Sequence, residues 1–315
     1  MTTCEKRGSR MAYRQWLLKL RDQRQLLIMT LPLVVLAIVF HYLPLWGWIM
    51  AFQDYKVAKG ITGSEFIGLE KFQMLFQDEK FYNVLRNTLA MGILSLVTGF
   101  VGAIALAILL NEVRFSPFKR TIQTITYIPH FVSWVVIANI VTVLLSPDGG
   151  TINVLLMKIG AISEPIYFMA KDTWFWFIHT AIGFWKELGW NTIIYLAVLT
   201  SVNPELYEAS DVDGAGRFRK MWHISVPSLM PTAFILLTLS LGWIIQGGYE
   251  SQFLLGNSIT IDYSEVLDLY AMRYSFSIGD YAYGTAISIF KSIVSIVMVF
   301  SVTFIAKKSG YGKIL

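Results

Sequence analysis

From Asn87 to Asn111 the chain carries no charged residue. Inside a bilayer no water can satisfy a backbone N–H or C=O. An apolar run of this length therefore has one stable form, a helix that closes its own hydrogen bonds. Comparable runs lie at about 26–52, 121–146, 173–201, 229–248 and 282–306. The sequence predicts an all-α membrane protein of six transmembrane helices. Residues 25–306 form its transmembrane domain, between a basic N-terminus (1–24) and a short tail (307–315). Charged residues make up 15% of the chain, against about 25% in soluble domains. Little length is left for a soluble domain.

Proline and glycine punctuate the spans. Pro32 and Pro44 predict kinks in the first span and Pro129 one in the third. Gly92, Gly99 and Gly102 allow close packing of the second. A basic N-terminus before an apolar run also has the outline of a signal peptide. The run from Gln25 to Gln53 exceeds a signal h-region and ends in no small-x-small cleavage site, so it reads as an uncleaved first span. Met11 is an alternative start. Sixteen of the 26 lysines and arginines fall on residues 1–24, 112–120, 202–228 and 307–315, and eight on the other loops. The positive-inside rule places the first group, with both termini, in the cytoplasm. It also accounts for the net charge of +5 without nucleic-acid binding.

Several chemistries are excluded. Cys4 is the single cysteine, so there is no disulfide framework and no cysteine metal site. His41, His130, His179 and His223 are too scattered to form a metal cluster. No Gly-x4-Gly-Lys-Ser/Thr loop is present, so the chain does not bind ATP in the Walker manner. No catalytic constellation appears within the spans.

The segment 202–228 is polar, lies between two spans and is highly patterned. Asn203 suits a helix N-cap with Pro204 at the first position. A short helix to about Asp213 is broken at Gly214, which can take φ > 0. Asp213 can cap a second helix from Ala215 to about Ile224, closed by Pro227. The expected product is a helix–glycine–helix hairpin with Arg217, Arg219 and Lys220 as its charges. Phe218, Met221 and Trp222 are apolar groups for a partner groove. By residues alone it is either a docking element or an amphipathic loop resting on lipid headgroups.

The run Glu208-Ala209-Ser210, with Gly214 six residues after the Glu and Ile224 and Pro227 ten and thirteen after that Gly, resembles the EAA loop of ABC importer permeases. The stretch from Phe66 through Phe81 into Asn87-Thr88-Leu89 resembles a segment of the sugar-type members. Tyr127-Ile128-Pro129-His130-Phe131-Val132-Ser133-Trp134-Val135-Val136 resembles a run in the branch that handles complex-polysaccharide oligosaccharides, related to the maltose-type permeases. Trp222 and His223 are not a strict part of the family pattern.

The resemblance implies a type I ABC importer permease fold with a cytoplasmic coupling helix. It also implies a multi-pass protein of the cytoplasmic membrane working by alternating access. Its implied partners are a second homologous permease, two ATP-binding cassette subunits that carry the ATP and Mg, an extracytoplasmic solute-binding protein, an oligosaccharide substrate and membrane lipid. No cofactor or metal sits on this chain. Glu208, Ala209, Asp213, Gly214, Arg217, Phe218, Arg219, Lys220, Met221 and Pro227 are the ATPase-coupling candidates. The outer loops, 53–86 and 249–280 above all, would meet the binding protein.

Ionisable residues within a span cost about 2.5–3.5 kcal/mol each and usually face a cavity or a partner. Lys186, Glu187 and Lys291 are therefore substrate-pathway candidates. The alternative is that Lys186 and Glu187 neutralise their neighbours in a packed helix. Trp185 and Trp190 could stack on pyranose faces, and Asn191 and Gln246 could bind hydroxyls. Interfacial or core packing is the plainer role for each Trp. Two lysines in spans also suggest an anionic, uronate-type sugar. A stand-alone secondary transporter or channel is the alternative, but it calls for carboxylates in several spans, or for inverted repeats with broken helices, and only Glu187 lies well within a span.

Overall fold

The computed structural model describes residues 23–308, Gln246 excepted. Most of the basic N-terminus with Cys4 and Met11, the end of the tail from residue 309, and Gln246 lie outside the described residues. The chain divides into two compact units at Gly68 and Leu69.

In the first unit, α1 (Arg24–Ala37) runs through a π-helical turn at Ile38–Tyr42 into a 3-10 stretch, Leu43–Phe52. α1 buries none of its residues, as suits a helix apolar on all sides that a membrane surrounds. Pro32 sits inside α1. At Pro44 the winding changes. A proline ring clashes with the carbonyl four residues back, here that of Phe40, and the wide π turn holds Phe40. The 3-10 stretch ends in an antiparallel pair, β1 (Gln53–Asp54) with β2 (Glu65–Phe66), in the register Gln53 to Phe66.

The second unit opens with α2 (Glu70–Gln77) and α3 (Glu79–Glu112). α3 starts well before the expected Asn87, for two local reasons. The Asp78 carboxylate caps it by accepting from the Lys80 N–H at 2.9 Å, and Phe81 and Val84 extend its buried face. The expected third span is broken rather than kinked. α4 (Ser116–Tyr127), a 3-10 turn (Ile128–Phe131) and α5 (Trp134–Leu144) follow one another, and the axis bends by 104°. Pro129 lies in the 3-10 turn, Val132 and Ser133 are extended, and the Ser133 hydroxyl accepts from the Val136 N–H to start the next helix.

The helix α6 (Thr151–Lys158) lies in the following loop, and α7 (Phe175–Thr200) packs along α3. Gly102 makes that approach possible, since a Cβ there would lie 2.3 Å from the Phe184 ring. After α8 (Pro204–Val212), α9 (Arg217–Lys220) continues through a π turn at Met221–Ser225 into α10 (Val226–Trp243). The expected fifth span thus begins inside the loop, at Arg217, and ends at Trp243. Pro227 does not close the helix. Its fourth preceding carbonyl, that of His223, lies in the π turn, so the clash that would stop an α-helix is relieved. The short helices α11 (Glu250–Leu255) and α12 (Leu267–Met272), with a single helical turn at Ile261–Ser264 between them, precede the last, α13 (Tyr281–Lys308).

Among the described residues four helices are long and apolar enough to cross a membrane, or five if the bent pair counts as one span. α7 has the length but is not one of them, because Lys186, Glu187 and Asn191 lower its hydropathy. The core of this unit falls into three clusters. One joins α3 to α10, α12 and α13 around Phe81, Ile245, Tyr270 and Ile287. A second centres on Met91, Ile137 and Ile182. The third joins α3, α7 and α10 through Ala107, Leu199 and Leu229.

Candidate functional site

Two places carry the chemistry, the hairpin between α8 and α10 and a cavity beside α7. In the hairpin, the Asn203 side chain accepts from the Glu205 N–H at 3.1 Å and caps α8. At the other end of α8 the Ala215 N–H reaches the Ser210 carbonyl and the Gly214 N–H that of Asp211. This is a Schellman ending, and it sets Gly214 at φ +71°. Asp213 does not cap the second helix. Gly216 holds the N-cap position, with no side-chain bond. The Tyr207 and Ser225 hydroxyls meet at 3.0 Å and tie α8 to the start of α10.

The expected coupling residues separate by exposure. Glu208, Ala209, Asp213, Arg217, Phe218, Arg219 and Pro227 are exposed, Phe218 at 85%. Lys220 instead turns back to pair with Asp211, so it offers less to a partner than the two arginines. Met221 packs partly against the Ala107–Leu229 cluster. Trp222, 71% exposed, takes the outward apolar place beside Phe218.

The cavity holds about 590 Å³ and lies among α3, α7, α10 and the segment after α10. Trp134, Trp190 and Trp243 stand in its wall with Ser95, Asn191 and Ser240. Its charged lining groups, among the described residues, are Glu187 and Asp268. The two lysines stand behind them. Lys186 is 5% exposed and donates to the His130 carbonyl at 2.6 Å, with its Nζ 3.5 Å from Glu187. Lys291 pairs with Asp268. Trp185, half exposed, is absent from the lining.

The break between α4 and α5 explains where Lys186 goes. A helix that stops leaves carbonyls without partners. The buried ammonium satisfies that of His130 and sits 5.7 Å from the Trp134 ring. Glu187 holds the same turn from its side chain, 2.7 Å from His130 Nδ1. The His130 ring then stacks on Trp190, centroids 4.3 Å apart and 3° from parallel. His130 and Asp268 are the residues that sequence reasoning missed. The Tyr127–Val136 run and the Lys186-Glu187 pair are both visible in the sequence, but nothing in the order of residues joins them.

At the opposite end of α3, Asp78 gathers three tyrosines. Tyr270 donates to it, Tyr283 lies 3.3 Å away and Tyr274 3.4 Å. Burial works to raise the Asp78 pKa, but the Tyr270 bond, the Lys80 N–H and the other two hydroxyls together hold it below its ordinary value. Nearby, Glu265 is 4% exposed. It forms ion pairs with Arg273 at 3.0 Å and Lys80 at 3.5 Å, and burial pushes its pKa up.

Long apolar helices around a partly polar cavity are the architecture of a membrane transport subunit. The chain belongs to the family of binding-protein-dependent transport system inner membrane components, which it matches over residues 99–310. It is 42% identical over 294 residues to the polygalacturonan/rhamnogalacturonan transport system permease protein YteP of Bacillus subtilis, covering 93% of this chain and 91% of that one. It is 40% identical to the protein LplB of the same organism, covering 93% and 92%. The crystal structure of a bacterial ABC transporter involved in the import of the acidic polysaccharide alginate superposes with a TM-score of 0.85 at 34% identity, covering 94% of this chain and 99% of that one. The bacterial alginate transporter in complex with an alginate pentasaccharide-bound periplasmic protein gives 0.85 at 35%, covering 92% and 96%. The fold is that of the type I ABC importer permeases, and the family is a transport subunit rather than a catalytic one.

Proposed function

We propose that this chain is the permease subunit of an ATP-driven importer that moves oligosaccharides, uronate-containing ones included, across the cytoplasmic membrane. The observation that carries this reading is the cavity wall, which includes the indoles of Trp134, Trp190 and Trp243 together with the hydroxyl and amide groups of Ser95, Asn191 and Ser240. Aromatic faces suit the apolar faces of pyranose rings, and a few placed polar groups suit their hydroxyls. Relatives whose names specify polygalacturonan, rhamnogalacturonan and alginate support the uronate part.

In this reading α7 and the α4–α5 pair are spans in addition to the four long apolar helices, which gives six with both termini in the cytoplasm. The 202–228 hairpin docks in a cytoplasmic ATPase through Phe218 and Trp222, rimmed by Arg217 and Arg219. A second permease of the same family completes the pathway, two ATP-binding cassette subunits drive it, and an extracytoplasmic binding protein delivers the sugar to the outer loops. ATP binding draws the coupling hairpins together and opens the cavity outward. Closure of this cycle through α7 is natural, because α7 leads directly into the hairpin and also bears Glu187, Trp190 and Asn191.

Two measurements test this. Purification from the native membrane in mild detergent should recover a second permease and an ATPase. Vesicles bearing the complex should take up labelled trigalacturonate when ATP is supplied on the ATPase side. A chain recovered alone, or uptake indifferent to ATP, would refute the reading.

A further inference from the structure

Among the described residues two carboxylates line the cavity, and each is paired with a lysine that does not. Glu187 is 3.5 Å from Lys186, which is buried and absent from the lining. Asp268, at the start of α12, pairs with Lys291 of α13, also absent from the lining. The two pairs come from different elements and share no residue. The first joins neighbours on α7, and the second bridges α12 to the last helix. The same arrangement therefore arises twice from unrelated local structure.

We infer that Lys186 and Lys291 set the charge selectivity of the pathway by compensating Glu187 and Asp268 from outside the cavity, so that an anionic sugar meets a wall of acceptors with no net negative charge. The inference rests on the oligosaccharide reading above and adds how the site tolerates uronates.

Its physical basis is electrostatic. A carboxylate is a strong acceptor for sugar hydroxyls. Left alone in a cavity of low dielectric it would repel the carboxylate of a uronate at several ångströms. An ammonium on its far side cancels most of that field at the ligand and leaves the acceptor oxygens in place. Direct contact between lysine and sugar is not needed, and the geometry argues against it. Lys186 already donates to the His130 carbonyl at 2.6 Å and lies 3.5 Å from that of Pro129. His130, 2.7 Å from the other Glu187 oxygen, fixes the direction in which that carboxylate faces.

The test uses the complete transporter in proteoliposomes, with one binding protein in every assay. Two probes differ only in charge, trigalacturonate and its neutral methyl ester. Lys291→Met should lower the acid-to-ester ratio of uptake rates by roughly fivefold to tenfold relative to the unmodified transporter, as expected for one uncompensated charge at close range. Lys291→Met with Asp268→Asn should return the ratio to within about twofold of unmodified, because the charge that remained has been removed. Lys186→Met alone and with Glu187→Gln should repeat the pattern. Methyl-ester uptake reports whether each variant folds and couples.

If both probes fall in parallel, or the double variants do not restore the ratio, the lysines are merely structural and the inference is overturned while the importer reading stands. If the unmodified transporter takes up neither probe, both are overturned.

Discussion

Gly189 of α7 and Thr126 of α4 touch backbone to side-chain position. A Cβ on Gly189 would sit 2.2 Å from the Thr126 carbonyl oxygen. This contact brings α7 against the end of α4, one turn from where Lys186 and Glu187 clasp the broken span. Leu188 and Trp190, the neighbours of Gly189 in the chain, line the cavity.

Gly189→Ala should therefore be destabilising, because the neighbour is backbone and cannot rotate aside. Overpacking of this kind costs about 1–3 kcal/mol. Gly183→Ala on the same helix has nothing within 4 Å of the new Cβ and should be neutral. Thermal unfolding of the purified protein in detergent compares them, and equal midpoints for the two variants would show that α7 can shift.

Asn87, fully buried near the start of α3, donates to the Asp262 carbonyl at 2.9 Å and the Glu265 carbonyl at 3.1 Å. Asn87→Ala leaves both carbonyls without that donor, at a cost of about 1–3 kcal/mol. The segment 261–266 should lose amide-exchange protection first. Unchanged exchange there would mean that other donors hold the loop.

Asp78 gives a pH signature. Its folded-state pKa lies below the ordinary 3.8, so its contribution is present above that value and lost as pH falls through the folded value. The unmodified protein should be the more stable near neutrality, and its margin over Asp78→Asn should shrink as pH drops below about 4. A margin constant from neutral to acid pH would mean that the three tyrosines do not favour the carboxylate.

The hairpin offers a separation of coupling from folding. Phe218 and Trp222 are exposed, so Phe218→Ala and Trp222→Ala should change stability by less than about 0.5 kcal/mol. Each should reduce co-purification of the ATPase severalfold. Gly214→Ala acts differently, straining a φ of +71° at about 1–2 kcal/mol. Full ATPase recovery with both aromatic variants would place the docking surface elsewhere.

Much of this protein was legible in the order of its residues. Apolar runs of bilayer length dictate helices, because lipid offers the backbone no other partner. The Asn203 cap and the Gly214 turn follow from local backbone chemistry that needs no neighbour. Boundaries were less legible where packing or winding intervened. α3 extends back to Glu79 because Phe81 and Val84 bury, and a π turn carries the chain past Pro227. Only the tertiary structure decided the site. Residues 129–130 meet 186–190 across a break that sequence reads as a proline kink, and Asp268 of α12 meets Lys291 of α13. Such pairings depend on which helix faces lie together, and that is set by packing summed over the whole unit. The same packing leaves both lysines outside the cavity lining, each paired with a carboxylate that lies in it.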